Sequence, residues 1–171
     1  IVASMLVNGE SPDLFHLQEQ QYRMMAKDYE NKTLMAFPLK KFSEQVYQMR
    51  INDLSIIPYE AFERVISVME AHKMVLVRQS QDGSGVKKEA FFRHDKIMDY
   101  FIVQAFMGEN NAKPKDHFDD PRFRGVYFLL AQLLPLKEAQ ALREMLIQYA
   151  ADTKDHSISD EFIKLLRSRT E

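Results

Sequence analysis

Residues 96–107 read Lys-Ile-Met-Asp-Tyr-Phe-Ile-Val-Gln-Ala-Phe-Met, and nine of these twelve positions are apolar. A helix that is apolar nearly all round must be covered on several sides. The segment is therefore predicted as a core element shared by its two flanking regions. The region before it is short and β-like. Residues 74–79 are valine-rich and read as a strand, 80–85 form a polar stretch holding Gly83 and Gly85, and 87–93 read as the returning strand. The hairpin then runs into the apolar helix through Phe92, Arg93, His94 and Asp95.

Prolines and caps divide the rest. Residues 1–7 read as the tail of a helix stopped at Asn8-Gly9, and Ser11 and Pro12 start a helix running to about residue 29. Pro38 starts a second, with Leu39, Phe42, Val46 and Met49 on one face; Pro58 starts a third, spanning 58–72, with Phe62, Val65, Ile66 and Met69 facing inward. Beyond the apolar helix, residues 108–120 are polar, hold Pro114 and read as a mobile loop or module boundary. Pro121, Pro135 and the Ser157/Ser159 pair then mark three helix starts, ending near Arg167. The predicted fold class is mainly α (α+β): a winged helix with a two-stranded wing, followed by an α-helical bundle.

Composition removes several classes of function. A length of 171 residues with 46% hydrophobic content suffices for a core. A formal net charge of −2 exerts no general pull toward nucleic acid or anionic membrane. The absence of cysteine excludes disulfides, thiolate catalysis and cysteine-ligated zinc, and it suits a cytoplasmic location. The apolar start at 1–7 is too short to span a membrane. Opening on Ile1 rather than Met suggests a piece of a longer chain. No Ser-His-Asp, Cys-His or paired-carboxylate arrangement is evident, so no catalytic residue is assigned.

Several groups of residues have the chemistry of a site. As a DNA reader, the 58–72 helix would present Glu60, Glu63, Arg64 and Ser67 with Glu70 nearby, and acids repel the phosphate backbone that supplies most duplex affinity. Lys87 and Lys88 in the wing, beside Asp82 and Glu89, offset this only slightly, so DNA is disfavoured. Asp116, His117, Asp119 and Asp120 have ligand chemistry for a hard cation, but carboxylates before Pro121 read more simply as helix caps, and no metal is assigned. Lys113, Lys115, Arg122 and Arg124 form a basic patch that reads as a solvated face, with a phosphate or an acidic partner as the alternative. His94, at the junction, reads either as a cap or packing residue, or as a phosphate ligand acting with the unpaired N–H groups of a helix start. Spacing alone leaves these two roles open.

The run from Phe91 to Phe106, FFRHDKIMDYFIVQAF, resembles the end of the winged-helix domain in signal-transduction NTPases of the STAND class, particularly the NACHT and NB-ARC groups. That pattern is an aromatic, one residue, a histidine, then an amphipathic helix with aromatics and a small residue near its end. Phe92, His94, Tyr100, Phe101 and Ala105 occupy those places. The resemblance covers roughly residues 14–107. It implies that the winged domain folds back on a nucleotide-binding domain of the same polypeptide, with His94 touching the β-phosphate of ADP and holding the protein shut. The chain departs from such NTPases in having no G-x-x-x-x-G-K-[ST] loop, so it is not expected to be an enzyme itself.

The implied domains are 1–10, the tail of a preceding helical domain; 11–107, the winged helix; and 108–171, a helical domain packed on the 96–107 helix. No cofactor is expected in the isolated chain, and ADP or ATP with magnesium is expected in the parent protein. The nucleotide-binding domain is the expected partner, beside a protein partner or self-association, with no membrane. The alternatives are a DNA-binding winged-helix regulator and a plain protein-interaction scaffold.

Overall fold

Helix α1, Leu14–Thr33, opens the computed structural model, which describes residues 14–108 and 110–169. The predicted helix tail at 1–7, its stop at Asn8-Gly9 and the start at Ser11-Pro12 lie outside the described residues. The described chain is mainly helical with one antiparallel hairpin, and no described helix is long and apolar enough to cross a membrane. It divides into two units, one ending at Met98 and the other beginning at Asp99.

In the first unit α1 is followed by α2, Leu39–Ile51, with Pro38 at its N-cap position as predicted. A 3₁₀ turn, Glu60–Phe62, then leads into α3, Glu63–Ala71. This third helix starts later than Pro58 predicts. The backbone N–H of Ile57 donates to the Ala90 carbonyl at 2.8 Å, so the chain is still extended as it reaches Pro58. The helical periodicity is otherwise as the sequence predicts for Phe42, Val46 and Met49 of α2 and for Phe62, Val65, Ile66 and Met69, all buried, while Leu39 at the start of α2 is only half-buried. Phe42 is the hub, its ring centroid lying 6.0 Å from Phe37, 5.2 Å from Phe62 and 6.1 Å from Phe92.

Helix α1 is held to α3 by a polar clamp at the C-terminal end of α3. Asp28 Oδ2 is 2.9 Å from His72 Nε2 and 3.1 Å from Lys32 Nζ, while Gln21 Nε2 donates to the His72 carbonyl at 3.0 Å. Hydrogen bonds from His72 and Lys32 hold the Asp28 carboxyl below the usual carboxylate range.

The hairpin pairs β1, Val75–Asp82, with β2, Gly85–Phe92, from Val75↔Phe92 to Asp82↔Gly85. It is longer than predicted, and its turn is only Gly83-Ser84. Asp82 Oδ1 accepts from the Ser84 backbone N–H at 2.8 Å and also from its hydroxyl, while Gly85 sits at φ +116°, a conformation that favours glycine. Val75 and Ala90 are buried at the base, whereas residues 78–88 are exposed on both faces. The distal half is thus a bare two-stranded ribbon.

Helix α4, Asp95–Phe106, carries the division between the units, its first turn lying in the first and the remainder in the second. The second unit continues with α5, Lys113–Asp116, a 3₁₀ turn, Pro121–Phe123, and α6, Arg124–Leu133; α7, Leu136–Thr153, and α8, Ser159–Arg167, complete it. Helix α8 packs on both α6 and α7. Phe101, Phe106, Phe123, Tyr127 and Phe162 are fully buried. The 108–120 segment is less loop-like than its composition suggests. Asn111 donates to the Ala105 carbonyl at 2.7 Å and accepts from the Lys113 N–H at 2.9 Å, and Tyr127 Oη donates to the Pro114 carbonyl at 3.0 Å. Arg169 closes the unit, its Nη1 donating to the carbonyls of Ala131 at 3.1 Å and Leu134 at 2.8 Å. Gly125 lies against Asp99, and a Cβ there would make the Asp99 carboxylate turn aside.

Candidate functional site

His94 occupies a one-residue joint. The ladder of the hairpin reaches as far as Arg93, whose N–H donates to the Met74 carbonyl at 3.1 Å. At His94 the direction changes, and its carbonyl accepts from the Ile97 N–H at 3.1 Å, which closes the first turn of α4. Local chemistry sets this geometry: Phe92 leans on the Phe42 hub, Ile97 is buried, and the polar residues between them face water. Arg93, His94, Asp95 and Lys96 are all exposed. The imidazole is therefore not packed under the hairpin, and among the described residues it has no hydrogen-bond partner. It stands beside the start of a helix, where backbone N–H groups lack intrahelical acceptors and carry partial positive charge. Two cations and one carboxylate flank it, giving a small exposed surface able to meet an anion.

The acidic reading of α3 survives in three dimensions. Glu60, Glu63, Arg64, Ser67 and Glu70 are exposed, so the face available to a duplex carries three carboxylates against one guanidinium. Duplex affinity of the unmodified chain at physiological salt is expected to be negligible, and Glu60→Lys with Glu63→Lys should create non-specific binding that falls steeply with salt. Fluorescence anisotropy with a labelled duplex checks this; submicromolar, sequence-selective binding by the unmodified chain would overturn it.

Within the Asp116, His117, Asp119 and Asp120 cluster, Asp120 and His117 are put to structural use. Asp120 accepts from the Arg122 backbone N–H at 3.0 Å and pairs with its guanidinium, Oδ2 to Nη2, at 2.7 Å, and these bonds hold its carboxyl below the usual range. The His117 ring stacks on Phe123 with centroids 4.3 Å apart and planes at 18°, and lies 5.7 Å from Phe106. Burial pushes the His117 pKa down, and Arg122 pushes the same way, against the opposing pull of Asp116, Asp120 and Asp119. Folded His117 thus resists protonation, whereas the unfolded chain takes up a proton near the ordinary value of about 6.5. Stability from this group is full above that value and is lost as pH falls through it toward the folded pKa, a window separate from carboxylate titration near pH ~4. Thermal midpoints from pH 7.5 to 5 should decline, and His117→Phe should flatten the upper part of that decline. Parallel profiles for the two proteins would refute the assignment.

Two features have no counterpart in the sequence reading. One is the Asp28–His72 clamp, whose partners lie 44 positions apart with no spacing signal. The other is a groove of about 780 Å³ between residues 56–61 and 86–89. The Ile57–Ala90 bridge creates it, and the sole hint in the sequence is Ile56-Ile57 placed just before Pro58.

No protein-family model, no curated protein and no solved structure matches the chain.

Proposed function

We propose that this chain is the regulatory arm of a larger ATP-dependent signalling switch, in which the winged first unit latches the ADP-bound closed state and the helical second unit senses or transmits. The observation that carries this reading is the placement of His94, an exposed imidazole at the first turn of α4 with Arg93 and Lys96 on either side. Its support is the order of elements, three helices and a hairpin leading into an apolar helix, together with the aromatic-x-His pattern ending β2. The chain has no phosphate-binding loop of its own, so nucleotide would be held by another domain of the polypeptide and touched from this side by His94. The acidic face of α3 speaks against the alternative of a DNA-binding regulator.

A contact made only to nucleotide already bound elsewhere is weak in isolation, so the chain alone should bind ADP poorly. In the polypeptide carrying the nucleotide-binding domain, His94→Ala should remove one charge-assisted hydrogen bond, worth about 1.5–3 kcal/mol, and speed ADP loss roughly ten- to hundredfold. ATP in an open state should be much less affected, so the switch shifts toward activity by population. Stopped-flow release of a fluorescent ADP measures this. Equal off-rates, with circular dichroism unchanged, would make His94 an ordinary joint residue.

A further inference from the structure

We propose that the outer edge of β2, from Val86 to Lys88, is a docking site for an extended acidic peptide that adds as a third strand to the hairpin. The edge already accepts a strand at one position, where Ile57 bridges Ala90 in antiparallel fashion. Backbone groups alternate sides along an antiparallel strand. Because Ala90 turns its carbonyl outward to Ile57, Lys88 and Val86 also turn their N–H and C=O groups outward. These have no backbone partner among the described residues. Pro58 and the 3₁₀ turn at Glu60 divert the chain before it can pair with them. The diversion leaves the 780 Å³ groove along the edge, walled by Tyr59 and by Ile56 and Val86, which are 44% and 61% exposed.

Charge selects the occupant. A strand laid along this edge would set one residue opposite Lys88, the next opposite Lys87 and the third opposite Val86, in that order for the antiparallel sense of the Ile57 bridge. Two carboxylates followed by an apolar side chain satisfy all three places, since opposite charges directly across a ladder stabilise and like charges destabilise. Glu89 also lines the groove, next to Lys88, and Glu60 stands on the far wall, while Lys88 Nζ lies 5.7 Å from the Tyr59 ring centroid, so preference for carboxylates rests on the two places directly across from Lys88 and Lys87. Antiparallel self-pairing of this edge that centres on Lys87 sets like charges against one another, the device by which natural edges avoid aggregation, whereas centring on Lys88 sets Lys87 opposite Glu89, so a concentration-dependent dimer of the unliganded chain would overturn the proposal in favour of a second copy. Main-chain bonds would supply affinity and the lysines specificity.

The test uses the whole chain and a fluorescein-labelled peptide with Glu-Glu-Val between threonines. Binding is expected, with amide-exchange protection appearing at Val86 and Lys88. Reversing both charges, Lys87→Glu with Lys88→Glu, should weaken it at least about tenfold. A peptide of the same sequence with alternate backbone nitrogens methylated keeps every side chain but loses the ladder, so it should not bind. The proposal is overturned if the methylated peptide or a Lys-Lys-Val peptide binds equally well, if protection appears elsewhere, or if millimolar peptide fails to bind. Displacement of the peptide by duplex DNA acting on the same lysines would also overturn it, in favour of a nucleic-acid wing.

Discussion

Phe42→Ala is expected to cost the first unit about 3–5 kcal/mol, because the substitution removes a fully buried ring and leaves a cavity whose walls come from several elements. The rings around it belong to the α1–α2 connection, the turn before α3 and the end of β2, so none can collapse into the space without moving its own element. The loss of Phe92's neighbour also frees the strand end that fixes the His94 joint. Phe42→Leu, which keeps most of the volume, should cost under about 1.5 kcal/mol. Urea unfolding followed by circular dichroism measures both, and equal midpoints for the two variants would show that Phe42 is not the hub its geometry makes it.

Phe101→Ala should produce a loss of similar size, about 3–5 kcal/mol, in the second unit. Phe101 is fully buried and meets Tyr100 edge-on with centroids 5.8 Å apart. Helix α4 is continuous through Met98 and Asp99, and helix propagation is cooperative, so the expected result is one lowered transition for the whole chain. Two calorimetric transitions, one of them unmoved by the substitution, would show that α4 does not couple the units.

Much of this architecture is legible in the sequence because helix starts carry chemistry. Pro38, Pro121 and Pro135 all stand at or beside the starts they announce, and the apolar steps along α2 and α3 point inward as their spacing predicts. Helix ends are harder. Leu34, Asp53, Lys73 and Lys154 all take left-handed conformations with φ between 53° and 60°, a role usually marked by glycine, so α1 overruns its expected end. The wing reads short because its distal residues face water on both sides, and a strand without a buried face shows no alternation. At His94 the sequence names the residue but leaves its role divided, since exposure depends on how Phe92 and Ile97 are anchored, and that is tertiary information. Ile57 illustrates the same limit: one bridge hydrogen bond moves a helix start and opens a groove, and no local pattern encodes it.

Arg169 bears on how this chain would carry tension. Its guanidinium grips the last turn of α6 from the end of α8, across 38 and 35 positions of sequence. Pull applied beyond residue 169 therefore does not peel α8 away turn by turn, as it would from a loose end. It loads the Ala131 and Leu134 carbonyls at once, through two hydrogen bonds from one nitrogen, before the end of α8 can come away. Two bonds loaded together share a force that peeling would place on each in turn, and rupture under load follows the unfolding rate rather than equilibrium stability. Arg169→Ala is expected to lower the force at which the end of α8 detaches while leaving the resting helices in place, which single-molecule pulling beside circular dichroism checks.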